Sequence, residues 1–210
     1  MTDTKTRILE AAERLILQKG SEAVTFREIT DEAGVNIASI NYHFGSKKEM
    51  ENALLARFIE PIEKRRLQML EQAEAEAGTG GPSLETVVRC YAVPFMEFSR
   101  SHPNQQHVFV ALNRLFNDET RFRGQVQKSL TRSLQRFSDA LVRALPEVPR
   151  ETVILRQTYM WFATTALLHK WLVEFAVDTL GIDVSDQALL EEMIRFLCAG
   201  FQGNAPGAPG

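Results

Sequence analysis

Residues 25–48 read TFREITDEAGVNIASINYHFGSKK, and this stretch decides the fold of the first part of the chain. Thr25 and Glu28 have the spacing of a capping box, which predicts that a short helix starts here. Gly34 can adopt the left-handed conformation that commonly follows a helix end. Asn36 can then cap a second helix. The stretch therefore predicts two short helices joined by a tight turn.

The second helix, predicted to end near Phe44, has two different faces at the helical repeat. The face predicted to pack contains Ile40, His43 and Phe44. The face predicted to be free for a partner contains Ile37, Ala38, Asn41 and Tyr42. Asn41 can hydrogen-bond a base edge or a phosphate, and Ile37 and Ala38 can contact thymine methyl groups. This chemistry is typical of a helix that reads the DNA major groove.

A third helix is predicted to begin after Ser46, with Glu49 as the partner of its cap. Lys47 and Lys48 then lie in its first turn, beside free backbone N–H groups that suit a phosphate. The chain carries a formal net charge of -3, yet no acidic residue occurs from residue 33 to residue 48. Positive potential is therefore concentrated at the predicted DNA-reading stretch, residues 25–48, which is called the reader below.

These residues resemble a known family. The pattern Thr25, Ala33-Gly34-Val35 and Tyr42-His43-Phe44-Gly45-Ser46-Lys47 is similar to the DNA-binding domain of the TetR family of bacterial one-component regulators. The resemblance implies an all-α fold of about nine helices, with an N-terminal three-helix helix-turn-helix domain and a C-terminal helical domain. It also implies a homodimer, a double-stranded DNA operator and a small effector that releases the DNA.

The reader also resembles a subgroup of that family. The sequence VNIASINYHFGSKK is similar to PsrA-like regulators, which implies a response to long-chain acyl compounds. The residues predicted to contact DNA are Thr25, Arg27, Asn36, Ile37, Ala38, Asn41, Tyr42, His43, Lys47 and Lys48.

The composition of the 210 residues, 44% hydrophobic and 24% charged, is that of a globular protein with one large or two small domains. We predict a helix-turn-helix domain over 1–50, an effector-binding and dimerisation domain over 51–203, and a disordered tail over 204–210. No apolar run approaches the ~20 residues of a membrane span, and no signal peptide is evident, so we expect a cytoplasmic protein without a membrane partner. The cysteines Cys90 and Cys198 form no disulfide or metal motif, and no cofactor is predicted.

Helical periodicity covers most of the remaining chain. The basic run Lys64–Arg66 is predicted to lie on a solvated face. Pro61 is predicted to kink the third helix, which continues to about residue 77 before a linker over 78–83. The other predicted helices cover 5–19, 84–101, 104–116, 118–145, 151–179 and 185–201.

The C-terminal half is rich in apolar side chains, which can form an ordinary core or, as the resemblance implies, also a pocket. The expected pocket has few charges inside, so we predict that its effector is apolar or amphipathic. Its predicted walls are Tyr91, Phe95, Phe98, Phe109, Leu112, Phe116, Trp161, Thr165 and His169. The last two helices suggest a four-helix interface between two copies. The predicted interface residues are Met160, Leu167, Trp171, Leu190, Met193, Leu197 and Phe201.

An enzyme and a protein-binding scaffold are the two alternatives to this prediction. An enzyme is not predicted, because the sequence has no Gly-x-Ser-x-Gly elbow, phosphate-binding loop or His-Glu-x-x-His motif. A helical scaffold that binds another protein through residues 151–201 remains an alternative. Salt-dependent, sequence-selective DNA binding would distinguish a regulator from such a scaffold.

Overall fold

The computed structural model describes residues 3–20, 22–101, 125–166, 175, 177–182 and 184–203. Across these residues the chain forms eight α-helices and one short 3-10 turn, and no strand. The helices are α1 (Thr4–Lys19), α2 (Phe26–Ala33), α3 (Ile37–Phe44), α4 (Lys47–Ala77), α5 (Leu84–Ser101), α6 (Gln125–Ala144), α7 (Arg150–Ala166) and α8 (Asp186–Gln202), and the 3-10 turn covers Gly78–Gly80. The predicted all-helical fold is confirmed.

The predicted helices correspond closely to the observed ones wherever both are described. α4 continues through Pro61 as a single helix, and the glycine-rich linker that follows it contains the 3-10 turn. Some predictions lie outside the described residues, namely the helix over 104–116, the tail over 204–210, and the site residues Phe109, Leu112, Phe116, Leu167, His169 and Trp171.

The described residues divide into two compact units, and the division falls within α4. The first unit contains residues 3–61 and 125–128, and the second contains 62–101 and 129–203. In the first unit, α1 packs on α2 and α3. Their shared core contains Ile8, Leu9, Ala12, Ile16, Ile29, Ile40 and Phe44, all buried. The domain boundary at residue 50 remains a prediction.

The second unit is organised around α5, which packs against α7 and α8. Its core includes Val87, Val88, Tyr91, Phe137, Leu141, Met160, Leu190, Ile194 and Phe201. The rings of Tyr91 and Phe137 meet edge to face, with centroids 5.0 Å apart. Such pairs stabilise a core beyond the area that they bury. In the part of the chain that the structure describes, no helix combines the length and the hydropathy that crossing a bilayer requires.

Arg66 corrects the interpretation of the basic run on α4. Lys64 and Arg65 are exposed, as predicted, but the Arg66 side chain is completely buried. Successive residues on a helix point about 100° apart, so a run of three charges covers more than one face. Arg66 lies four residues from both Ile62 and Leu70, which are buried on the same side. The prediction of a solvated face was therefore wrong for Arg66.

We expect the substitution Arg66→Met to lower the free energy of unfolding by about 3–5 kcal/mol, because it leaves the carboxylate of Glu63 buried without its partner. The neighbouring substitution Lys64→Met makes the same chemical change on the exposed face and should shift the free energy by less than about 0.5 kcal/mol. Urea unfolding followed by circular dichroism measures both values. Equal effects of the two substitutions would contradict the buried position of Arg66.

Candidate nucleic-acid interface

The start of α2 is fixed by the predicted capping box. The hydroxyl of Thr25 accepts a hydrogen bond from the backbone N–H of Glu28 at 3.3 Å, and the Glu28 carboxylate accepts one from the backbone N–H of Thr25 at 2.9 Å. Lys19, at the end of α1, forms an ion pair with the same carboxylate. These contacts hold the pKa of Glu28 at about 2, below its ordinary value of 4.5, and the hydrogen bond from Lys19 is the largest cause.

The turn between α2 and α3 needs both a glycine and an arginine. Gly34 has φ 62° and ψ 42°, a left-handed conformation that costs other residues about 1–2 kcal/mol. Arg7 of α1 donates from Nη2 to the carbonyl oxygen of Ala33 at 2.6 Å and to that of Gly34 at 3.2 Å. Its positive charge also suits the C-terminal end of α2. Arg7 could not be predicted from the sequence, since nothing local to α1 indicates a contact with a turn 26 residues later.

α3 presents the two faces that its sequence predicts. Asn36 caps the helix, accepting from the backbone N–H of Ser39 at 2.8 Å. Ile40 and Phe44 are buried, whereas Ile37 is 49% exposed and Tyr42 is 86% exposed. Ala38 and Asn41 are also exposed, and half-buried His43 lies edge-on to the Tyr42 ring, with centroids 5.2 Å apart. An aromatic ring this exposed contributes little to the core, so it is available to a partner.

The first turn of α4 lies beside the entry to α2. Ser46 caps α4 by accepting from the backbone N–H of Glu49 at 3.2 Å. Lys47 donates from Nζ to the carbonyl oxygen of Val24 at 2.7 Å, and both Lys47 and Lys48 are half-buried. Lys47 thus ties the start of α4 to the residue that precedes the α2 cap.

The structure places all ten predicted DNA contacts in the first unit, at the start of α2, along α3 and in the first turn of α4. Seven of them are exposed, namely Thr25, Arg27, Asn36, Ile37, Ala38, Asn41 and Tyr42, and the other three are half-buried. The arrangement offers amide, apolar and aromatic groups on one helix, with a helix N-terminus and lysines nearby. That combination can contact base edges and phosphates together.

The predicted effector residues in the second unit have different environments. Tyr91 and Phe95 are buried, whereas Phe98, Trp161 and Thr165 are half-buried. One charge lies beside them, since the guanidinium of Arg66 is 3.6 Å from the Tyr91 ring centroid and 4.4 Å from that of Phe95. Periodicity could not show this, since Arg66 belongs to a different helix.

A shallow pocket of about 430 Å³ lies between α6 and α7, and none of the predicted effector residues lines it. Its walls are Leu134, Gln135, Ser138, Asp139, Arg150 and Ile154. Within the described residues, His, Cys, Asp and Glu side chains form no cluster of three that could hold a metal ion.

The predicted dimer interface also needs correction. Met160, Leu190, Leu197 and Phe201 are at most 6% exposed within the single chain. They belong to the core of the second unit and are not accessible to another copy, whereas Met193 is half-buried. A helix that is apolar nearly all round does not reveal which side its own chain covers. The large exposed apolar residues on α7 and α8 are Ile154, Leu155, Tyr159, Phe162 and Phe196.

The low pKa of Glu28 predicts a pH dependence of stability. A carboxyl group whose pKa falls from 4.5 to about 2 on folding stabilises the folded state above pH 4.5, and this contribution is lost as the pH falls toward 2. The substitution Glu28→Gln should therefore reduce the loss of stability between pH 4.5 and 2. Urea midpoints across this range, compared with those of Glu71→Gln at an exposed position of α4 as a control, measure the difference. Parallel curves for wild type and Glu28→Gln would contradict the assignment.

Two family models match the chain. The model of bacterial regulatory proteins of the tetR family matches residues 8–54, and that of the tetracyclin repressor-like C-terminal domain matches residues 89–200, more than half of the chain. Among curated relatives, the HTH-type transcriptional regulator YvkB of Bacillus subtilis is 37% identical over 76 residues, which cover 36% of this chain and 38% of the relative. The transcriptional repressor KstR2 of Rhodococcus jostii is 34% identical over 58 residues, 28% of each chain. Both matches span well under two thirds of the relative's length.

Solved structures share the fold over nearly the whole chain. A tetR family transcription regulator from Shewanella sp. PV-4 superposes with a TM-score of 0.64 at 15% identity, covering 93% of this chain and 96% of that one. FadR from Bacillus subtilis, solved in complex with stearoyl-CoA, also gives a TM-score of 0.64 at 15% identity, covering 93% and 98%. The helix-turn-helix geometry and the two family models lead to one conclusion: the chain belongs to the TetR family of transcriptional regulators.

Proposed function

We propose that this regulator binds a pseudo-palindromic DNA operator as a homodimer, represses transcription there, and is released by a small apolar or amphipathic effector. The observation that carries the proposal is the outer face of α3. Tyr42 is 86% exposed there, although the same helix is anchored by the buried side chains of Ile40 and Phe44. A short helix with an exposed ring and a firmly packed back is well suited to insertion into a groove.

The contacts with DNA follow from the chemistry of that face. Asn41 is placed to pair with base edges, and Ile37 and Ala38 offer apolar contact to thymine methyl groups. The α3 cap Asn36 and the first turn of α4, with Lys47 and Lys48, are suited to phosphates. Thr25 and Arg27, both exposed at the start of α2, extend the phosphate contacts along the backbone. His43 completes the set through its edge contact with the Tyr42 ring.

We place the homodimer interface on the exposed apolar residues of α7 and α8. Leu155, Tyr159 and Phe162 follow one another at intervals of four and three residues, so they form one stripe along α7. Each is at least 59% exposed, and Phe196 on the adjacent α8 is 70% exposed. Contiguous apolar surface of this kind commonly marks an interface. A homodimer carries two α3 helices, one for each half-site of an operator whose half-sites lie about one DNA turn or more apart.

We propose that the effector binds in the second unit, and the similarity to the family supports this. The FadR structure from Bacillus subtilis contains stearoyl-CoA, and the α3 sequence resembles acyl-responsive regulators. Both support a fatty acyl compound as one candidate. An effector that binds one conformation of the dimer more tightly shifts the population toward it. Release of DNA follows if that conformation spaces the two readers wrongly for the operator.

Substitutions at the reader test the DNA contacts. We expect Tyr42→Ala and Lys47→Ala each to weaken binding by about 1–3 kcal/mol, on an operator selected from random duplexes. Because phosphates are the same in every sequence, the lysine change should weaken binding similarly on all duplexes. Lys64→Ala, a lysine outside the reader, serves as the control. Fluorescence anisotropy across a salt series measures these affinities, and DNA binding without sequence preference would favour a protein-binding scaffold instead.

A charge in the apolar stripe tests the homodimer. The substitution Phe162→Glu should convert the dimer into a monomer, because a carboxylate cannot be buried between two apolar faces without a partner. Ile37→Glu places the same charge on an exposed apolar position of α3 and should leave the mass unchanged. Sedimentation velocity at micromolar concentration distinguishes the two species. If the Phe162→Glu protein still sediments as a dimer, the interface does not lie on this stripe of α7.

A further inference from the structure

Three polar side chains are buried together where α4 and α5 contact each other in the second unit. Glu63 and Arg66 lie one turn apart on α4 and are 2% and 0% exposed, and Tyr91 on α5 is 1% exposed. Arg66 donates from Nη1 to Glu63 Oε1 at 2.6 Å and from Nε to the carbonyl oxygen of Tyr91 at 2.8 Å. Arg66 thus links α4 to α5 inside an aromatic environment.

Each of these side chains also has one polar atom without a hydrogen-bond partner. The atoms are Glu63 Oε2, Arg66 Nη2 and the Tyr91 hydroxyl oxygen. Among the described residues, five buried side-chain atoms lack a partner, and three of the five belong to this one cluster. Buried polar atoms in native proteins almost always have a partner in the protein, in water or in a ligand. Their concentration in one cluster points to a partner beyond these three side chains, either water or a ligand.

The chemistry of the three atoms specifies what that group is. Arg66 Nη2 offers donors, Glu63 Oε2 offers an acceptor, and the Tyr91 hydroxyl can act as either. Burial raises the pKa of Tyr91 to about 12, so its hydroxyl keeps its proton near neutral pH. Since Glu63 already neutralises Arg66, an anionic group gains little attraction from the guanidinium and is repelled by the Glu63 carboxylate. A cation meets the guanidinium, so a charged group of either sign is disfavoured.

We propose that Glu63, Arg66 and Tyr91 form the polar end of the effector site and bind an uncharged head group that both donates and accepts hydrogen bonds. An alcohol or a primary amide on an apolar chain has this chemistry. The inference rests on the proposed effector binding in the second unit. Phe95 and Phe98 follow Tyr91 at intervals of four and three residues, so the apolar chain would lie along this face of α5. Because the three atoms are buried, the head group enters as α4 and α5 separate locally.

The test compares ligands that differ only in the head group. Isothermal titration of the full-length protein near neutral pH would use 1-decanol, undecanamide, undecanoate and decyltrimethylammonium, each of which carries a ten-carbon alkyl chain. The apolar chain is the same in all four, so the ranking of affinities reports the head group. We expect the alcohol and the amide to bind at least about tenfold more tightly than the anion and the cation, the difference that about one good hydrogen bond makes.

Two variants test whether the cluster causes the preference for uncharged head groups. Tyr91→Phe removes only the hydroxyl and should weaken decanol binding about tenfold while changing the melting temperature of the free protein little, because that hydroxyl has no hydrogen bond of good geometry there. Thr131→Val removes an exposed hydroxyl from α6 and should leave decanol affinity unchanged. The double variant Glu63→Met with Arg66→Met removes both charges at once, which avoids an unpaired buried charge. It should bind all four compounds with similar affinity.

The remaining outcomes are distinguishable. Equal affinities for the four head groups, unaffected by Tyr91→Phe, would overturn the inference and leave the proposed apolar effector standing. That pattern is also the one expected if buried water serves the three atoms. If none of the four decyl compounds binds, the inference and the proposed apolar effector are both overturned.

Discussion

The reader depends on one constraint: an eight-residue helix cannot hold itself together in water. α3 is only slightly longer than two turns, and four of its eight residues are exposed to solvent. Its stability must come from its ends and from its buried side. Asn36 caps the start, the Gly34 turn sets the entry angle, and Ile40 with Phe44 anchors the back. Only because these are fixed can Tyr42 and Asn41 remain exposed in a defined orientation.

The capping chemistry was predictable because it is local. A capping box, a left-handed glycine and an asparagine cap each involve residues within a few positions of one another, so the sequence pattern carries the whole interaction. The two faces of α3 follow from the helical repeat in the same way. The bounds of α4 and α5 were also predictable, since a glycine-rich linker separates them.

The corrections all concern partners that are distant in sequence. Arg66 is in a run of basic residues, and only the packing of α5 against α4 shows that its guanidinium meets Tyr91, 25 residues away. The apolar residues of α7 and α8 could face their own core or another copy, and periodicity alone does not distinguish the two. Met160 and Phe201 face the core, whereas Leu155 and Phe162 are exposed. Arg7 was missed for the same reason.

The contact between Arg7 and the turn has a practical consequence for work with purified protein. α1 begins at Thr4, so Arg7 lies within a single turn of the start of that helix. An affinity tag joined ahead of α1 would lie close to the Arg7 side chain, which stabilises the turn between α2 and α3. Tags there are best cleaved before DNA affinity is compared between preparations, since fraying of one helical turn would reach the arginine directly.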